Sequence, residues 1–138
     1  MATDMFIRFA SPYRSRWSGR ELGVFHSAGR LQDSGTLSGD EVEQLEELLS
    51  YFNAYLPVPP CYRDAELPLV QRDRAICWFR TDAERFIRRI WTVVCFLKDH
   101  GVPMQMCRTR LPGRVLYEDE FQVCAVPFRR QREWQQNI

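Results

Sequence analysis

The chain has 138 residues, a length that predicts one domain able to bury a core without disulfide bonds. Its 19 basic and 18 acidic residues leave a net charge of +1, which excludes a strong overall attraction to nucleic acid or to an anionic membrane. Hydrophobic residues make up 45% and charged residues 27% of the chain, the proportions of a globular domain rather than a disordered segment.

Cysteine usage and apolar runs predict the compartment. The five cysteines form no C-x-x-C pair, and most have apolar neighbours. An odd, scattered set of this kind predicts reduced thiols in a reducing compartment. Residues 1–8 lack the long apolar run of a signal peptide, and the stretch Trp91–Leu97 is too short to span a bilayer. We therefore expect a cytoplasmic protein with no membrane partner.

The first half of the chain predicts a strand followed by two helices. Met5–Phe9 alternates between two faces as a strand does, and Ser11-Pro12 is expected to end it. Apolar residues recur at every third position from Leu22 to Leu31, which is a helical spacing. Ser38 followed three residues later by Glu41 is a capping box, and it predicts the start of a second helix that ends before a proline.

The second half predicts a loop, a strand, a helix and two further strands. Four prolines in Pro57–Arg74 predict a long surface loop. Ile76–Phe79 is the next predicted strand. A second capping box, Thr81 with Glu84, precedes a helix whose broad apolar stripe predicts a central, buried position.

Two more strands are predicted after this helix, over Met104–Arg110 and Val115–Val126. A turn with proline and glycine joins them, and the second strand is expected to break near Glu118–Glu120. The order β-α-α-β-α-β-β predicts an α+β domain over residues 1–128, with an antiparallel or mixed sheet of about four strands and helices packed on one face. Residues 129–138 are expected to form a polar C-terminal tail.

Metal and catalytic signatures are weak. Arg30–Glu41 has the outline of a calcium-binding loop, but an arginine at its first position would repel the cation. His26 and His100 are the only histidines, too few for a zinc site of compact nitrogen ligands. No phosphate-binding glycine loop occurs. We therefore predict no catalytic, cofactor-binding or metal-binding residues and no cofactor.

The acidic run Tyr117–Glu120 has two interpretations. On a strand, Glu118 and Glu120 would point to the same side, and with Arg108 or Arg110 they could act on a phosphoester. The favoured interpretation is a polar turn, or cross-strand pairing with those arginines.

The predicted sheet has one side rich in arginine and aromatic residues. Alternation along each strand places Phe6 with Arg8, Trp78 with Arg80, and Arg108 with Arg110 on that side. Nearby loops could extend it. The candidate binding residues are Arg8, Arg14, Arg16, Trp17, Trp78, Arg80, Arg108, Arg110 and Arg114.

Such a face suits a protein partner, because tryptophan and arginine concentrate binding energy at interfaces. It also suits single-stranded RNA or another phosphate ligand, with aromatic rings stacking on bases. Alternatively, Trp78 and Phe6 pack beneath the Pro57–Arg74 loop. A further pair of docking patches is predicted on the helices, where acidic residues of the second helix and Arg85, Arg88 and Arg89 of the third either pair with each other or face solvent.

The first hypothesis is accordingly a non-catalytic protein–protein interaction domain or regulatory subunit, with a partner protein or self-association. RNA or phosphate-ligand binding is the second, and a phosphoester-processing enzyme is the least favoured.

Overall fold

The computed structural model describes residues 5–14, 21–59 and 75–128. This part of the chain forms three helices and six strands, and it confirms the predicted α+β class with more strands than expected. In chain order the elements are β1 Phe6–Arg14, β2 Glu21–Gly23, α1 Val24–Asp33, α2 Gly39–Tyr55, β3 Ile76–Arg80, α3 Glu84–Asp99, β4 Gln105–Thr109, β5 Arg114–Glu118 and β6 Gln122–Val126.

The chain divides into two compact units, which we call the sheet unit and the helical unit. The sheet unit comprises residues 1–7, 57–83 and 108–138, and the helical unit comprises residues 8–56 and 84–107. The single domain over residues 1–128, the polar tail and the packing of helices on one face stay predictions.

In the sheet unit, the start of β1 pairs with β3, β3 with β6, and β6 with β5, all antiparallel. Strand β6 therefore has a neighbour on each side, and all five of its residues are buried. Its sequence, Gln-Val-Cys-Ala-Val, is nearly continuous in apolar residues, as is typical of a strand covered on both faces.

The predicted strand Val115–Val126 is broken where expected, since β5 ends at Glu118 and β6 begins at Gln122. The turn before β5 requires a glycine. Gly113 has φ of 126°, and a Cβ at this position would overlap the carbonyl oxygen of Val126.

The helical unit contains the rest of β1, β2, the three helices and β4 as far as Cys107. The capping box before α2 is confirmed: the Ser38 amide donates to Glu41 Oε1 at 2.9 Å, and the Glu41 amide donates to Ser38 Oγ at 3.2 Å. Helix α3 contacts both α1 and α2 and buries six residues, which confirms its predicted central position.

Three sequence predictions were wrong at element boundaries. Strand β1 continues through Ser11-Pro12, because its pairing with β2 shifts register between Ala10 and Arg14, and such an irregularity tolerates a proline. Strand β2 was missed because Leu22 fits the helical spacing of α1. Helix α3 begins at Glu84 itself, later than a cap at Thr81 requires.

Across the three described ranges, no helix combines the length and the apolar character needed to cross a membrane.

Candidate functional site

Trp78 does not lie on an open face of the sheet. Its side chain is only 1% exposed, so Trp78 is covered, and the alternative in which it belongs to a binding face is wrong. Strand β3 has paired neighbours on both sides, and residues of both its faces are buried, with Phe79 7% exposed. Strand alternation identifies which residues share a face, but it does not show whether that face is covered.

Arg80 is engaged by its own chain. Its guanidinium carbon lies 5.6 Å from the centre of the Phe6 ring. Its Nη2 donates to Glu118 Oε2 at 2.8 Å, and its Nε donates to the carbonyl oxygen of Asp119 at 2.9 Å. Arg80 therefore links β3 to the turn between β5 and β6. The acidic run pairs with Arg80 through Glu118, whereas the sequence suggested Arg108 or Arg110 as its partner.

The other predicted binding residues are placed as follows. Arg108, Arg110 and Arg114 are exposed in the sheet unit, whereas Arg8 is half-buried in the helical unit. Arg14 ends β1, and its side chain is outside the described part of the structure. Arg16, Trp17 and most of the Pro57–Arg74 loop also lie outside the described residues.

The acidic run forms a hydrogen-bonded turn centred on Asp119. Its Oδ1 accepts the amides of Phe121 at 2.8 Å and Gln122 at 3.0 Å. Its Oδ2 accepts the Tyr117 hydroxyl at 2.7 Å and Gln122 Nε2 at 3.2 Å. Burial raises the pKa of Asp119, but these hydrogen bonds outweigh it and hold the pKa below its ordinary value. The contacts agree with the polar-turn interpretation of this segment.

A cluster of aromatic side chains joins the three helices of the helical unit. Phe52 of α2 and Phe86 of α3 are buried with ring centres 6.0 Å apart, and Phe25 of α1 lies 5.1 Å from Phe52. Two tyrosines of α2 continue the cluster outward. Tyr51 lies 5.7 Å from Phe86, and the 57% exposed Tyr55 lies 4.7 Å from Tyr51.

Two exposed arginines of α3 stack on these rings. The guanidinium carbon of Arg89 lies 3.6 Å from the ring centre of Tyr51. That of Arg85 lies 5.8 Å from Tyr51, 5.6 Å from Tyr55 and 4.8 Å from Phe86. In each helix the two residues are four positions apart and so share one face. We call Tyr51, Tyr55, Arg85 and Arg89 the Tyr/Arg surface.

The Tyr/Arg surface itself carries positive charge, since it contains two arginines and no acidic residue. Helix α2 has no charged residue between Leu48 and Tyr55, and its acidic residues lie closer to its start. On α3, Arg88 pairs with Glu84 of its own helix at 3.6 Å, and Arg89 donates to the carbonyl oxygen of Arg85 at 3.2 Å. The alternatives for Arg88 and Arg89 were pairing with acidic residues of α2 or exposure to solvent. Arg88 pairs with Glu84 of its own helix, and the exposed Arg89 stacks on Tyr51 of α2.

The sequence identified half of this surface. Arg85 and Arg89 were predicted to form a basic side of the helix, but Tyr51 and Tyr55 were missed. Their spacing of four positions is the signal that could have found them, because it places two large rings beside the apolar stripe of α2.

His100 and Glu41 form a second polar contact in the helical unit. His100 Nε2 lies 2.6 Å from Glu41 Oε2, and its Nδ1 lies 2.8 Å from the carbonyl oxygen of Phe96. Both ring nitrogens face oxygen atoms, an arrangement that the doubly protonated imidazole satisfies with a hydrogen bond from each nitrogen. The hydrogen bond from His100, with bonds from Ser38, lowers the pKa of Glu41 to about 2, and the carboxylate raises the pKa of His100.

This pair predicts a pH-dependent contribution to stability. Because the pKa of Glu41 is lowered, its part is complete above 4.5 and is lost as the pH falls towards about 2. Because the pKa of His100 is raised, its part is complete below 6.5 and is lost as the pH rises through the folded value, which Asp99 also helps to raise. Replacing His100 with glutamine is expected to lower the thermal midpoint most between pH 4.5 and 6.5.

Thermal unfolding of both proteins over a pH series measures this difference. A Lys98→Gln variant, changed two positions earlier on α3, controls for the loss of a positive charge. A difference between wild type and His100→Gln that stays constant with pH would contradict the assignment.

Comparison of the chain with protein-family models, with curated proteins and with solved structures finds no match. The described residues contain no group of three or more histidine, cysteine, aspartate or glutamate side chains that could hold a metal ion. The Tyr/Arg surface, with the exposed Tyr55, Arg85 and Arg89 and the half-buried Tyr51, is the candidate site because its arginines lie over tyrosine rings.

Proposed function

We propose that this chain is a protein-interaction domain, and that its Tyr/Arg surface binds an acidic segment of a partner protein. The observation that carries the proposal is the stacking of the exposed Arg89 on Tyr51, with Arg85 beside it over two tyrosine rings. A guanidinium that lies on a ring face keeps its N–H groups at the edge, where they can bind a carboxylate through two hydrogen bonds.

Energetic arguments support a protein partner. Tyrosine and arginine are the residue types that dominate binding energy at protein interfaces. Stacking also holds the long arginine side chains in place before binding, so less side-chain entropy is lost when a partner arrives. The buried Phe52 and Phe86 pack against Tyr51, with ring centres 6.1 Å and 5.7 Å from its own.

A titration with a defined peptide tests the proposal. Amide NMR shifts of the labelled protein are followed as a short peptide rich in glutamate and leucine is added. Shifts are expected along the second half of α2 and the first half of α3. The double variant Arg85→Gln, Arg89→Gln is expected to bind at least about tenfold more weakly, since a hydrogen bond to a charged group contributes about 1.5 to 3 kcal/mol.

The matched control is the variant Arg108→Gln, Arg110→Gln, which removes two exposed arginines of the sheet unit and is expected to leave the affinity unchanged. A circular dichroism melt of each variant shows that the fold is retained. Equal affinity of wild type and the Arg85, Arg89 variant would overturn the proposal. So would tighter binding of a single-stranded RNA oligonucleotide than of the peptide at the same arginines.

A further inference from the structure

Two cysteines face each other across the inner strands of the sheet unit. In the antiparallel register of β3 with β6, Cys77 is directly opposite Cys124. Both are thiols in this structure. They pack with Ala75, Leu116 and Tyr117, so they lie in one small apolar cluster.

The hydrogen-bond pattern of the two strands shows which kind of pair this is. The Arg80 amide donates to the carbonyl oxygen of Phe121 at 2.8 Å, one step beyond the opposed residues Phe79 and Gln122, so this step of the ladder is a hydrogen-bonding position. The Gln122 amide donates to Asp119 Oδ1, and the Gln122 carbonyl oxygen accepts from the Asp119 amide. Both backbone groups of Gln122 are therefore directed to the turn after β5 and away from β3. Bonded and non-bonded pairs alternate along an antiparallel ladder, and Cys77 is three positions before Arg80. Cys77 and Cys124 are therefore a non-hydrogen-bonded pair.

A non-hydrogen-bonded pair has the spacing that a disulfide requires. Its Cα atoms lie about 4.5 Å apart, and its Cβ atoms approach about 4.5 Å. Disulfides join residues with Cα separations of about 4.4 to 6.8 Å and Cβ separations of about 3.5 to 4.5 Å. Small side-chain rotations can thus bring the two sulfur atoms to bonding distance without moving either strand.

The two thiols differ in exposure, which assigns their order of reaction. Cys77 is half-buried, whereas Cys124 is fully buried at 0% exposed. An oxidant from solution therefore reacts with Cys77 first. Cys124 is not accessible to the oxidant and reacts with the oxidised sulfur of Cys77.

We propose that Cys77 and Cys124 are a redox modification site that forms a reversible cross-strand disulfide with a low-molecular-weight disulfide as oxidant. The Cys77 thiolate attacks the oxidant, forms a mixed disulfide and releases one small thiol. The Cys124 thiolate then attacks the Cys77 sulfur and releases the second. The two protein thiols lose two protons and two electrons in total, and the oxidant is reduced to two thiols.

The site is tested by equilibrating the full chain in oxidised and reduced glutathione at graded ratios. Non-reducing digestion with mass spectrometry is expected to find the peptide of β3 linked to the peptide of β6, and excess reduced glutathione is expected to reverse the link. A Cys124→Ser variant is expected to stop at a glutathione adduct on Cys77. Cys95, which is exposed on α3, is replaced with serine throughout to remove a competing thiol.

The linked peptide is measured on protein that keeps both Cys77 and Cys124, so the result does not depend on the folding of the Cys124→Ser variant. Failure to find the Cys77–Cys124 link at any ratio, while glutathione adducts accumulate on other cysteines, would overturn the proposal. An intermolecular link through either residue would also overturn it. The proposal is independent of the Tyr/Arg surface, because it concerns the sheet unit alone.

Discussion

Replacing Trp78 with alanine is expected to lower the free energy of unfolding by about 3 to 5 kcal/mol, the range for truncating a large aromatic side chain in a core. The indole is 1% exposed and lies on an inner strand, opposite the buried Val123. Its removal leaves a cavity that closely packed neighbours fill only in part. Urea unfolding followed by far-UV circular dichroism measures the loss.

Two further variants make the Trp78 measurement specific. Trp78→Phe keeps most of the buried area and is expected to cost less than the alanine variant. Leu111→Ala, at a side chain that is 63% exposed, is expected to change stability by less than about 0.5 kcal/mol. A Trp78→Ala protein as stable as wild type would contradict the burial of the indole.

Replacing Asp119 with alanine is expected to lower the free energy of unfolding by about 3 kcal/mol, because it leaves several donors of the turn without their acceptor. Those donors are the two amides, the Tyr117 hydroxyl and the Gln122 side chain. The pKa of Asp119 is held below its ordinary value of 3.8, so its stabilisation is complete above that pH and is lost as the pH falls below it.

The Asp119 prediction has a pH signature. Urea unfolding at neutral and at acid pH is expected to show the difference between wild type and Asp119→Ala shrinking as the pH falls. Glu120→Ala is the matched control, since this neighbouring carboxylate is exposed and is expected to leave stability almost unchanged. Equal stabilities of wild type and Asp119→Ala at neutral pH would contradict a structural role for the turn.

The secondary structure was predictable where local signals act. The capping box of Ser38 and Glu41 marked the start of α2, because its two hydrogen bonds join residues three positions apart. The apolar stripe of α3 likewise indicated the central helix. Local signals failed at Pro12, where a register shift in the pairing with β2 decides that β1 continues.

The candidate site was predictable only in part. Arg85 and Arg89 stood out as a basic helix side, but their stacking on Tyr51 depends on α2 lying against α3, which no short pattern encodes. Two residues of the arginine and aromatic face inferred from alternation have other roles. Trp78 is buried in the core, and Arg80 forms a hydrogen bond with Glu118.

The sequence by itself determined the α+β class, the helix that begins after Ser38 and the break between β5 and β6, because these depend on residues within a few positions of each other. Tertiary structure decided that Trp78 is covered, that Cys77 is opposite Cys124 and that His100 reaches Glu41, 59 positions away. The physical reason is that burial and strand register depend on which distant segments pack together. Because hydrophobic attraction is non-directional, a short sequence pattern does not specify those segments.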